Sequence, residues 1–153
     1  MEEVRLAPRS PEALAGIIGP ERVERLITRD AVAMRSALRN HSVININSTP
    51  AGGGVAEMLQ VLLPLTRGAD IDARWLVIEG DPEFFAITKR IHFHLHGEPG
   101  DGGKLGAHEA EHYEAVMKRN IEELSAIVVE GDVVILHDPQ TAGLVAGMRD
   151  SGA

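Results

Sequence analysis

The residues of this 153-residue chain best suited to chemistry fall into three short stretches. Gly52-Gly53-Gly54 opens a segment with helical apolar spacing, so bare backbone amides and the positive end of a helix would meet an anion such as a phosphate. A tight turn without a ligand uses the same glycines. The stretch lacks the Lys-Ser/Thr ending of a nucleoside-triphosphate loop and the spacing of a dinucleotide fingerprint, and neither of those sites is indicated. His137-Asp138 puts a titratable ring and a carboxylate together at the end of an apolar run, a pair fit for proton transfer or for plain structural hydrogen bonding. Glu79 and Asp81 could accept hydrogen bonds from sugar hydroxyls, or cap the helix that starts near Pro82.

Two histidine patterns raise the question of a metal. His108-Glu109-Ala110-Glu111-His112 matches H-E-x-x-H, in which histidines one helical turn apart hold zinc and the glutamate acts as base. That motif belongs on a mostly apolar helix, whereas Glu111 and Glu114 charge this one, a glycine loop precedes it and no third-ligand motif comes after it. A solvated helix start is the better account. His92, His94 and His96 alternate as on a strand, but the spacing from Phe84 to Ile91 is helical and would scatter them around an axis. No metal site is assigned.

The elements that must position these residues can be read from period and punctuation. Ser10-Pro11-Glu12 starts a helix, Gly19-Pro20 breaks and restarts it, and Val23, Leu26, Ile27, Met34 and Leu38 form one stripe up to about Asn40. Residues 1–40 are thus expected to be a helical segment packed on the main domain, 41–153. Ser42 to Asn47, Ile71 to Ile78 and Asp132 to Leu136 read as strands. Val55 to Leu65, Phe84 to about Leu95, a segment through Tyr113, Val116, Met117, Ile121 and Leu124, and a segment from near Gln140 read as helices. Gly97 to Gly106 must be an irregular loop. Strand and helix alternate, so the expected class is α/β, a Rossmann-like, doubly wound parallel sheet flanked by helices. Ligands of such sheets bind beyond the carboxyl ends of the strands, where Asn47 to Gly54, Glu79 to Asp81 and His137 to Gln140 lie. Three parallel strands are few, and Arg149 to Ala153 come after a helix where another strand would be expected, so the sheet reads as unfinished.

Composition narrows the classes. There are 23 acidic against 15 basic residues, a formal charge of -8, which opposes general binding to nucleic acid or to an anionic membrane surface. Hydrophobic residues make up 44%, enough for a sizeable core. No cysteine is present, which excludes a disulfide framework, a thiolate nucleophile and a thiolate-bound metal. The longest apolar runs are interrupted well short of the roughly 20 residues that span a bilayer, and the start is acidic, so the expected location is the cytoplasm.

Three motifs in order carry a resemblance: Asn47-Ser48-Thr49-Pro50-Ala51-Gly52-Gly53-Gly54-Val55-Ala56-Glu57, Arg74-Trp75-Leu76-Val77-Ile78-Glu79-Gly80 and His137-Asp138-Pro139-Gln140. Together with Lys89-Arg90-Ile91-His92 and Leu95-His96-Gly97, they resemble the N-terminal domain of trehalose synthases of the glycosyltransferring type, retaining family 4 glycosyltransferases. The resemblance runs from about His41 onward. It implies the acceptor-side half of a GT-B pair of Rossmann-like domains, joining glucose from a nucleoside diphosphate glucose to free glucose with retained configuration, the other half supplying the basic residues that neutralise the diphosphate and the carboxylates that grip the donor. It implies no cofactor beyond that donor substrate. By similarity Gly52, Gly53 and Gly54 approach the donor; Glu79, Lys89, His92, Asp138 and Gln140 line the sugar sites; and His137 is the catalytic candidate, supplying orientation and electrostatic support. The implied partners are small sugars and a nucleotide sugar. No segment matching the second domain comes after Ala153, so the chain is expected to be inactive alone and to favour a homodimer or the missing domain. A trehalose phosphorylase, or a non-catalytic sugar-binding or assembly module, remain the alternatives.

Overall fold

A computed structural model describes the backbone of residues 1–150 and the side chains of residues 1–148. The expectation of a strand beyond the last helix concerns residues outside those described.

Four strands form one sheet: β1 (Glu2–Glu3), β2 (Val43–Asn47), β3 (Ala73–Val77) and β4 (Val133–Leu136), in the order β1-β3-β2-β4. β2 runs parallel to β3, with Val43 opposite Ala73 and Asn47 opposite Val77, and parallel to β4, with Val43 opposite Val133. The three strands read from the sequence are thus the parallel ones, in Rossmann-like order. β1 was not anticipated: Glu2 and Glu3 pair antiparallel with Val77 and Leu76, and so give the first residues of the 1–40 segment an extended rather than helical role. Two charged residues carry no strand pattern, and the pairing is held instead by Arg74, whose Nε and Nη2 donate to Glu3 at 2.9 and 2.7 Å.

Period 2 along the strands sorts the core onto two faces. Ile44, Ile46 and Leu76 meet Phe84 of α5 (Pro82–Leu95), Val116, Met117 and Leu124 of α6 (Ala107–Ser125) and Leu144 of α7 (Leu144–Asp150). Ala73, Trp75 and Val77 meet Ala56, Leu59 and Leu63 of α4 (Gly54–Gly68) on the other face. The N-terminal arm continues through a 3-10 turn (Pro11–Leu14) into α1 (Ala15–Ile18), α2 (Pro20–Arg25) and α3 (Ala31–Leu38). Between α2 and α3, residues Leu26–Asp30 form a π turn, which adds a residue to the helical repeat and rotates α3 relative to α2. Ala31 therefore takes the inward position, packing with Val43, Ala69 and Ile71, and Met34, expected on the buried stripe, is 44% exposed. No helix among the described residues is long and apolar enough to cross a membrane.

β2 is buried at every position, and its last residue is polar. Asn47 Oδ1 accepts from Trp75 Nε1 at 2.8 Å, and Asn47 Nδ2 donates to the Thr49 carbonyl at 2.8 Å. Asn47→Ala would strand a buried indole N–H and a loop carbonyl. The expected loss of unfolding free energy is about 2–4 kcal/mol by urea denaturation monitored by circular dichroism; an unchanged midpoint would show that the pair is dispensable.

Candidate functional site

The order of the parallel strands reverses between β2 and β4, and a cleft of about 440 Å³ opens beyond their carboxyl ends. Gly52, Gly53 and Gly54 form one wall, Lys89 and His92 another, and Asp138 and Gln140 close it from the β4 side. Seven of the nine residues singled out in the sequence thus meet in one place.

The glycine wall is built by a loop bonded largely to itself. Thr49 Oγ1 donates to the Ala51 carbonyl at 2.6 Å, and Gln60 Nε2 reaches back from α4 to the Pro50 carbonyl at 3.2 Å. Gly52 and Gly53 adopt φ of 75° and 85°, which side chains resist, and no atom lies within 4 Å of where a Cβ would stand on either. Conformation, not crowding, demands these two. Gly54 has no such φ and equally open surroundings, so its hydrogen leaves the helix end bare. Among the described residues no side chain caps α4, and its first bond runs from the Glu57 amide to the Gly53 carbonyl at 3.2 Å. The amides of Gly54, Val55 and Ala56 therefore precede the helical ladder on the cleft wall, at the positive end of a 15-residue helix.

The α5 wall presents Phe85, Thr88, Lys89 and His92, which share one helical face. The Lys89 ammonium stands 5.8 Å from the Phe93 ring centroid, and the His92 ring lies 4.4 Å from that of His96. Asp81 sets the start of this helix: its Oδ1 accepts from the Phe84 amide at 2.8 Å and lies 2.9 Å from His112 Nε2. The Phe84 amide, and then His112, hold the Asp81 carboxyl below its ordinary pKa. This is the capping role for Asp81, and it uses one histidine of the H-E-x-x-H stretch. The other, His108, is 75% exposed, with Nδ1 3.6 Å from Glu83 Oε1. Among the described residues no group of three or more His, Cys, Asp or Glu side chains is placed to hold a metal.

At the end of β4 the backbone is strained. Asp138 has φ 67° and ψ 158°, a region that only glycine enters freely, at a cost of about 1–3 kcal/mol. The buried Thr141 clamps it, its hydroxyl lying 2.9 Å from the His137 carbonyl and 3.1 Å from that of Asp138. Gln140 Oε1 is buried and has no hydrogen-bond partner among the described residues.

Two expected residues lie elsewhere. His137 is not among the cleft's lining residues; its Nε2 lies 3.0 Å from Asn45 Oδ1, on the central strand. The Glu79 carboxylate is 71% exposed and pairs with the Met1 amine at 3.1 Å, while Asn120 holds the Glu79 backbone through both its N–H and its carbonyl. Asn47, Phe85 and Thr88 line the cleft without having been singled out. The last two precede Lys89 and His92 by one turn, so helical spacing was a signal that could have found them.

A Rossmann-like sheet with a helix-headed cleft at its switch point is the architecture of α/β domains whose ligands, where they have them, lie beyond the carboxyl ends of the strands. The family profile described as "Trehalose synthase, N-terminal domain" matches residues 45–153, and the chain belongs to that family. A trehalose synthase of Thermococcus litoralis is 40% identical over 129 residues, 84% of this chain and 29% of that protein. One of Pyrococcus horikoshii is 38% identical over 147 residues, 95% of this chain and 33% of that protein. A trehalose phosphorylase of Pleurotus pulmonarius is 33% identical over 104 residues, 65% of this chain and 14% of that protein. The chain thus spans about a third or less of the length of these relatives.

Asp138→Gly should relieve the strained backbone and raise unfolding free energy by about 1 kcal/mol, and Gly53→Ala should lower it by about as much; both are read by urea denaturation. The depressed Asp81 pKa gives a contribution present in full above the ordinary carboxylate range and lost as pH falls through the folded value, below about pH 4. Asp81→Asn keeps a capping side chain without the titration. Its melting temperature should therefore fall less steeply with acid than that of the unsubstituted chain.

Proposed function

We propose that the cleft is the acceptor-side half of a retaining glucosyl-transfer site, whose glycine loop approaches the phosphates of a nucleoside diphosphate glucose, and that the parent protein passes the glucosyl unit to glucose to form trehalose. The observation that carries this reading is the uncapped start of α4 facing Lys89 across one cleft. Amides of Gly54, Val55 and Ala56 would hold phosphate oxygens, and Lys89 would offset their charge. Asp138 and Gln140 would take sugar hydroxyls. In the transfer the bond from the anomeric carbon to the phosphate oxygen breaks, the acceptor hydroxyl oxygen bonds to that carbon on the same face, and its proton passes to the leaving phosphate. No nucleophilic side chain is needed. His137, bonded to Asn45, would fix the start of the strained turn and so act by orientation and electrostatic support. The donor is a substrate, and no cofactor enters. A second Rossmann-like domain closing a GT-B cleft, and a cytoplasmic setting, belong to the same proposal.

Trehalose phosphorylase is the second reading, favoured by the match to relatives of that name. Inorganic phosphate would then occupy the same amides. A non-catalytic sugar-binding module is the third.

Calorimetric titration of the chain with uridine or adenosine diphosphate tests the site. Binding should weaken with salt. Gly54→Val, which fills open space without a strained φ, should abolish it, and Lys89→Ala should weaken it about tenfold. Failure of both nucleotides to bind would sink the donor reading; binding of phosphate alone would favour the phosphorylase. Among the described lining residues Lys89 is the sole Lys or Arg to meet two phosphates, so the 153-residue chain should form no trehalose from donor and glucose. Trehalose in that assay would overturn the expectation.

A further inference from the structure

The end of α5 sorts its alternating histidines. The helix turns His94 to the far side of the axis and brings His96 back to within about 40° of His92. The helix proper stops at Leu95, yet the His96 amide still donates to the His92 carbonyl at 3.3 Å and to that of Phe93 at 3.0 Å, so the pair keeps its one-turn spacing. The two rings stand 4.4 Å apart, centre to centre, and are inclined by 38°.

His96 is also fixed in its tautomer. Its Nδ1 lies 2.8 Å from the His92 carbonyl oxygen, which can only accept, so Nδ1 carries the proton and Nε2 of the neutral ring keeps its lone pair. A ring held through one nitrogen by a backbone carbonyl, with the other nitrogen left free, is the arrangement of a metal-ligating histidine. Among the described residues the His92 ring makes ring contacts alone, with Phe93 and His96. Two imidazole nitrogens bound about 2.1 Å from one ion, at a right angle across it, stand about 3 Å apart, a separation that rings 4.4 Å apart can adopt without any change in the helix. The last carbonyls of this 14-residue helix add partial negative charge at the same end, which favours a cation. Lys89, one turn earlier, opposes one, and its ammonium stands by the Phe93 ring, 5.8 Å from the centroid. The other pair at this spacing, His108 and His112, is already engaged: His112 Nε2 lies 2.9 Å from the Asp81 oxygen that caps α5, and His108 Nδ1 lies 3.6 Å from Glu83.

We infer that His92 and His96 form a two-imidazole site for one divalent late transition-metal ion, of the class of nickel, copper and zinc, at the C-terminal end of α5. Imidazole selects these ions over magnesium and calcium, which take oxygen ligands, and water completes the coordination. Because His92 lines the cleft, the ion would stand at its rim. The site needs neither a sugar nucleotide nor turnover, so it stands or falls apart from the donor reading.

Calorimetric titration of the untagged chain with nickel chloride should saturate at one ion per chain, and magnesium chloride in its place should not. Copper chloride, at a small fraction of the chain concentration, should broaden the amide nuclear magnetic resonance signals of His92 to Gly97 through its paramagnetism and leave those of His108 to Tyr113 sharp. His92, His94 and His96 are all exposed, so alanine at these positions does not put folding at stake. His92→Ala and His96→Ala should each weaken nickel binding at least about tenfold, and His94→Ala should leave it unchanged. Equal losses from all three variants would show an adventitious ion only and overturn the inference, as would broadening centred on His108 and His112 or a heat that never saturates.

Discussion

Everything beyond the sheet hangs on one buried amide. Asn47 ends the central strand with 1% of its surface exposed, where an amide without partners would cost more than its packing returns. Its two ends are satisfied in different directions, by the Trp75 indole on the neighbouring strand and by the Thr49 carbonyl in the departing loop. The first bond belongs to the core and the second to the site. The path of the glycine loop, and with it the heading of α4, is therefore referred to the most rigid part of the molecule.

The other strand ends and helix starts share the same plan, each held by a polar group that does not line the cleft. Asp81 fixes the start of α5, and His112 of α6 fixes Asp81. Thr141, fully buried, holds the strained carbonyls at the end of β4. Asn120 pins the turn after β3 by bonding both the N–H and the carbonyl of Glu79. A cleft of this kind is preorganised: its backbone geometry is set by folding and need not be set again by the ligand.

Much of this was legible in the sequence because it rests on periodicity and on glycine. Strands of branched residues ending in Asn47, Val77 and Leu136, each succeeded by a turn and a helix, dictate both the class and the end of the sheet where ligands gather. The glycine triplet announces a backbone with positive φ. The features that were not legible depend on contacts between distant residues. β1 consists of two glutamates whose pairing is held by Arg74, far along the chain. The π turn before Ala31 shifted the buried stripe away from Met34, and a mid-helix insertion leaves no mark in residue type. Glu79 and His137 stand at strand ends like their neighbours; whether such a side chain faces the cleft is decided by Met1 and Asn45, through bonds that spacing does not encode.

Trp75 has an optical consequence. It is the chain's sole tryptophan, it has no solvent-exposed surface, and its indole N–H ends on the amide that also grips the glycine loop. Its emission should be that of an indole in a dry interior, insensitive to quenchers in the solvent. Any change in that emission when a small molecule is added reports a disturbance carried inward through Thr49 and Asn47. The chain thus carries an intrinsic chromophore wired to one wall of its cleft, and a spectrum that stays constant on binding would mean the loop receives its ligand without moving.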